Sequence, residues 1–368
     1  MMSAAIIILG IIGLILVHEF GHFIIAKAFG IRVEEFSIFF PPRLFSKKFG
    51  GTKYTLGLVP VGGYVKIYGE SPDELGDTHH FDKGNFSHRS RWIQAAVIVA
   101  GIVFNIIAAW LLLSVAYMVG VPSSVEHEGF GVVQQAQVTI VDVKPGSPAD
   151  KAGMQVNDVV TSINTGTQEL TAATDAVATQ QFIANHAEGS MVVNLKRGGE
   201  ELHLLAKPTD GIIEGRKALG IALDDVGVLK LSPPVALLQG GLSTATYTAL
   251  TAKGMADLFG GIFKGSANLD EVKGPVGIVR LGAQVADDGW YYGLLLIVLI
   301  SINLAIINVL PIPGLDGGRL LFIAIEGVIR KPLSEKWVTR VTIVSFALIA
   351  LLAIFITFND ISSWVHGA

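Results

Sequence analysis

The sequence predicts a polytopic α-helical membrane protein: four transmembrane helices, a membrane-associated β-hairpin and an inserted α/β module. Three observations carry that prediction. Only 16% of the 368 residues are charged while 51% are hydrophobic, against about 25% charged in soluble domains, and mean hydropathy is +0.55. Four apolar runs approach the roughly 20 residues that cross a bilayer core. Between them lie stretches of alternating apolar residues punctuated by glycine and proline, the pattern of strands and turns.

The first apolar run covers residues 4–29, and between Met1 and Lys27 its only residue charged at neutral pH is Glu19. It has no basic leading segment, and no small-x-small cleavage site precedes its histidines, so it is expected as a mature span rather than a cleaved signal. The second run covers 93–119, inside a charge-free stretch between Arg91 and Glu126. The third, 290–310, continues into a Pro/Gly-rich break, and the fourth covers 341–358.

After the first span, Tyr54, Leu56, Leu58 and Val65, Ile67 alternate around Pro60, Gly62 and Gly63. That pattern predicts two short strands joined as a hairpin beside the membrane. Residues 70–91 are polar, and His79, His80 and His88 in them are expected on a solvated loop without metal. Residues 132–208 predict a compact α/β module. It has strands at 138–143 and 158–164, a short helix capped near Ser147 and stopped at Gly153, a helix over 173–186, and a hairpin turning at Gly198-Gly199. Residues 232–265 predict an amphipathic helix along the outer membrane face, and 274–282 a connector.

Lys and Arg near the span ends set orientation. Arg32, Arg43, Lys47, Lys48, Arg89 and Arg91 load the loop after the first span, and Arg330, Lys331, Lys336 and Arg340 the loop before the fourth. Both loops are expected in the cytoplasm, with both termini and the 121–289 region outside. The expected divisions are 1–120 (first two spans and hairpin), 130–210 (the α/β module), 211–289 (linker and surface helix) and 290–368 (last two spans). A net charge of -4 and no basic patch predict no nucleic-acid partner. Zero cysteines exclude disulfides and a thiolate metal site.

His18-Glu19-Phe20-Gly21-His22 is the spacing H-E-x-x-H, which on a helix turns both imidazoles to one face. Charged groups at bilayer depth default to a functional reading. Here that reading is zinc on His18 and His22, with Glu19 adjacent to take a proton from metal-bound water. A catalytic zinc site needs a third ligand, which must be His, Asp or Glu. Asp316 in NVLPIPGLDGGR, residues 308–319, is the strongest candidate, because it follows a broken helix at the same cytoplasmic depth. A zinc transporter would need acids and histidines spread along a path, whereas one cluster lies in these spans.

Together, H-E-x-x-H in the first span, N-x-x-P-x-P-x-x-D-G-G after the third and GIVFN at 101–105 in the second resemble the site-2 protease family, among them the bacterial RseP-type regulated intramembrane zinc proteases. The phrase GSPADKAGMQVNDVVTSIN resembles a PDZ domain, a module that binds an extended peptide at a sheet edge. One such module is legible where some relatives carry two. The resemblance implies Zn²⁺ held by His18, His22 and Asp316 with Glu19 as catalytic base. It also implies that Asn303, Asn308 and Pro311 hold substrate, and Asn105 is expected to steady the hairpin or the oxyanion. The implied partners are the lipid bilayer, a single-span substrate such as an anti-sigma factor, and a peptide or protein on the PDZ domain. The implied location is the bacterial cytoplasmic (inner) membrane.

Overall fold

The computed structural model describes residues 2–70, 82–127, 129–171, 173, 175–213, 216–265, 274–287 and 289–366. His79 and His80 lie outside the described residues. The chain divides into two compact units, Met1–Ser114 with Gly240–Ala368, and Val115–Gln239.

Apolar helices dominate the first unit. α1 spans Met2–Ala28, α2 begins at Arg91 and ends at Val119, α7 spans Trp290–Val309 and α9 spans Glu335–His366. Among the described residues these four are long and apolar enough to cross a membrane, and each overlaps one of the four runs expected. α6 (Pro275–Asp287) packs against α1, α7 and α9, so residues expected as a connector form a helix. α8 spans Asp316–Ile329.

The β structure of this unit differs from the expected hairpin. β1 (Val33–Phe49) and β2 (Thr52–Ile67) each bend midway, and their four halves form one small sheet. Residues 33–38 are central. On one side Val33 pairs with Ile67 and Ile38 with Gly63; on the other Glu35 lies opposite Lys53 and Ile38 opposite Leu56. Residues 43–49 pair outside that, from Arg43 opposite Gly57 to Phe49 opposite Thr52. The predicted strands around Tyr54 and Val65 therefore flank a third strand instead of pairing with each other. The alternation hid that strand because two of its buried positions, Glu35 and Ser37, are polar.

Glu35 is the hub of the sheet. Its carboxylate accepts from Arg43 at 3.0 and 2.7 Å, from Thr55 at 2.8 Å and from the Tyr64 hydroxyl at 3.0 Å, so it joins all four strand segments. Burial alone would raise its pKa; the hydrogen bonds from Thr55, Arg43 and Tyr64 outweigh it and hold the carboxyl below its ordinary range. A depressed native pKa stabilises the fold above the unfolded value of about 4, and the effect is lost as pH falls through the native value. Acidification is therefore expected to open residues 33–38 and 63–67 to amide exchange. Glu35→Gln should exchange faster at pH 7 and lose most of that acid dependence.

The second unit is built on a sheet in the order β3-β11-β4-β5-β7-β8, from Val121–Ser124, Ile221–Leu229, Val133–Val143, Val159–Asn164, Met191–Arg197 and Glu200–Ala206, with β6 (Glu169–Leu170) on β5. Val138, Ile140, Ile163, Met191, Val193 and Leu195 form its core. The short helix α3 (Pro148–Lys151) is capped by Ser147, whose hydroxyl accepts from the Asp150 amide at 3.2 Å. Asp175 caps α4 (Ala176–Asn185) in the same way. β9 (Thr209–Ile213) and β10 (Arg216–Ala218) form a separate ribbon. Residues 211–213, 216–218 and 221–229, expected in a linker, thus lie in strands, and β11 lies inside the sheet. In β11, Asp224 accepts from the Ser124 hydroxyl and Asp225 from the Ala176 amide. From Pro233 the chain runs as α5 (Pro233–Lys264), as expected for a long helix there.

Candidate metal centre

The pattern of α1 turns His18 and His22 to one face, and Asp316 meets them from the first turn of α8. The Nε2 atoms of His18 and His22 lie 3.2 Å apart, and each lies 3.2–3.3 Å from Asp316 Oδ2. Ligand atoms at 2.0–2.1 Å around a tetrahedral zinc ion would stand roughly 3.3–3.4 Å apart. The three separations match that figure. The His22 Nδ1 lies 2.9 Å from the Val97 carbonyl, which accepts its proton and leaves the Nε2 lone pair free. Asp316 Oδ2 is buried without a hydrogen-bond partner. Two imidazole lone pairs and an orphaned carboxylate oxygen aimed at one point repel unless a cation sits between them. The donor set therefore fits zinc, and among the described residues it is the one such cluster.

Asp316 reaches this point because the helix breaks. α7 ends at Val309, the Ile312 amide donates to the Leu310 carbonyl, and Gly314 takes φ 104°. α8 then starts with Gly317 and Gly318 packed on the loop: a Cβ on Gly317 would stand 2.2 Å from the Leu310 carbonyl oxygen. Asp316 does not cap α8; its side chain points at the histidines.

Asn105 on α2 lies beside His18, with Nδ2 3.4 Å from Nδ1, while its own Oδ1 is buried without a partner. With the amide turned over, Oδ1 accepts the Nδ1 proton and His18 keeps Nε2 for metal. Ser301 on α7 donates to the Asn105 carbonyl at 2.8 Å. Asn105 thus stands behind a histidine.

A cavity of about 220 Å³ opens on the centre. It is lined by Glu19, by Tyr64, Val65 and Ile67 of the last segment of β2, and by Glu70 and Arg319. Asn303 and Asn308 on α7 and Pro311 after it do not line it. Sequence reasoning missed Gly101. A Cβ there would stand 2.4 Å from His22 Nε2 and 2.7 Å from His18 Cε1. Gly101→Ala is therefore expected to displace both rings and cut zinc affinity by about tenfold or more, as read by metal analysis of the purified protein. The signal was the glycine of GIVFN, one helical turn before Asn105.

The family model for peptidase family M50 matches residues 6–352. A protein of Nostoc sp. is 33% identical to this chain, over 97% of it and 94% of its own length. The regulator of sigma-W protease RasP of Bacillus subtilis is 29% identical, over 95% of each chain. The zinc metalloprotease RasP of Bacillus licheniformis is 28% identical, over 95% of this chain and 96% of its own.

Proposed function

The chain belongs to peptidase family M50, the site-2 protease family, and is a zinc metalloprotease of the membrane; from that premise we propose that it cuts the transmembrane segment of a single-span regulatory protein, of the anti-sigma-factor kind. The observation that most supports this is the convergence of His18, His22 and Asp316 at zinc-ligand spacing on helices of an apolar bundle. A relative named as a regulator of sigma-W protease supports the substrate class.

In this reading His18, His22 and Asp316 hold zinc. When bound, zinc supplies a Lewis acid that polarises a carbonyl and acidifies water. Glu19, on the cavity wall, takes the water proton and hands it to the leaving amine. The Val97 carbonyl and the Asn105 amide fix the two imidazoles. A helical substrate hides its peptide bonds and must unwind first; its extended chain then adds to the edge segment 63–67, which already lines the cavity. Asn303, Asn308 and Pro311 are assigned to holding the unwound substrate from outside the cavity.

The second unit is assigned as a PDZ domain for a peptide or protein partner, its groove running between β11 and α4. The charged loops support an active site toward the cytoplasm, with the PDZ domain and both chain ends on the other side of the bacterial inner membrane.

The test is direct. The protein is reconstituted in liposomes with a single-span peptide and the product masses are read. Cleavage inside the apolar segment is expected, lost with a zinc chelator and regained on adding Zn²⁺. Cuts confined to the flanks would overturn the proposal.

A further inference from the structure

Arg319 and Glu70 both line the metal cavity, and neither has a role in the mechanism above. Arg319 lies three residues after Asp316 on α8, so the two share a helix face. Glu70 lies three residues beyond Ile67, the last residue of the edge segment, and its amide donates to the Ile67 carbonyl at 3.2 Å. That turn keeps the carboxylate at the strand's end. The Arg319 guanidinium Nη1 donates to Glu70 Oε1, and the two form an ion pair.

This pair differs from a solvated surface bridge. The Glu70 side chain is only 16% exposed. Among the described residues Arg319 is the single Lys or Arg on the cavity wall, which also carries three acids, Glu19, Glu70 and Asp316. Without it, Glu70 would leave an uncompensated carboxylate in a cavity that already holds two.

The rest of α8 is held elsewhere. Leu320 and Ile323 pack against the apolar cluster that includes Val33, Ile67, Val97 and Ile98, and Glu326 pairs with Arg91 at 2.7 Å. Arg319–Glu70 is a polar link at the level of Asp316, and it joins the helix bearing that residue to the strand edge where a substrate would lie.

We propose that the Arg319–Glu70 ion pair is a positioning brace that sets which peptide bond of an extended substrate meets the metal. The inference rests on the intramembrane-protease reading. It is tested with Glu70→Ala, Arg319→Ala, the exchanged pair Glu70→Arg with Arg319→Glu, and the conservative Arg319→Lys, all in liposomes with the single-span peptide.

Each alanine variant is expected to bind zinc as the wild type does, to lose about 10- to 100-fold in kcat, and to spread its cuts over neighbouring bonds. The exchanged pair should restore one cut position and most of the rate, and Arg319→Lys should keep the wild-type position. A merely structural role would lower yield without moving the cut. Unchanged cut positions in both alanine variants, no rescue by the exchange, or zinc loss in Arg319→Lys would each overturn the brace. An inert wild type would instead sink the protease reading itself.

Discussion

Glu19→Gln is expected to abolish cleavage while leaving bound zinc at the wild-type level. Glutamine keeps the length and shape of glutamate and changes no proposed ligand. What it loses is the ability to accept a proton from water. General acid–base groups contribute about 10²–10⁴-fold, and no other unassigned acid adjoins the two histidines on α1, so the loss should lie at the upper end. The measurement pairs metal analysis with turnover of the reconstituted peptide. In native membranes the same variant should accumulate together with its uncut single-span substrate, which mass spectrometry would identify. Turnover within tenfold of wild type would remove Glu19 from the mechanism.

Asp316→Ala should remove both metal and activity. Two imidazoles from one helix leave zinc with half of a tetrahedral shell. Altering groups behind the ligands already costs about 10- to 100-fold in affinity, and losing a ligand should cost at least the upper figure. The second effect is electrostatic, since the carboxylate oxygen 3.2–3.3 Å from both Nε2 atoms carries the site's compensating charge. The expected result is protein that purifies without zinc and does not regain turnover when Zn²⁺ is supplied in slight excess. Retained metal and turnover would place the third ligand elsewhere.

The two sequence motifs were legible because their physical cost is high. A glutamate between histidines in an apolar helix has few innocent explanations, and Pro311, Pro313 and Gly314 announce a break wherever they stand. Spans were legible from composition, and in the second unit the capping serine at 147 and the paired glycines at 198 and 199 marked real boundaries. The central strand 33–38 was not, because Glu35 and Ser37 invert the usual alternation and are satisfied by partners distant in sequence. β11 was hidden for the same reason. Val97, Glu70 and Arg319 carry no local signal of their importance; what matters is which atoms of remote segments stand opposite them.

Asp316 belongs near the end of the chain and His18 and His22 to its start. A ribosome making this protein releases the histidines into the bilayer long before the aspartate has been synthesised. On the proposed assignment, the half-built polypeptide carries two of the three metal ligands and gains the third only once α8 has been made.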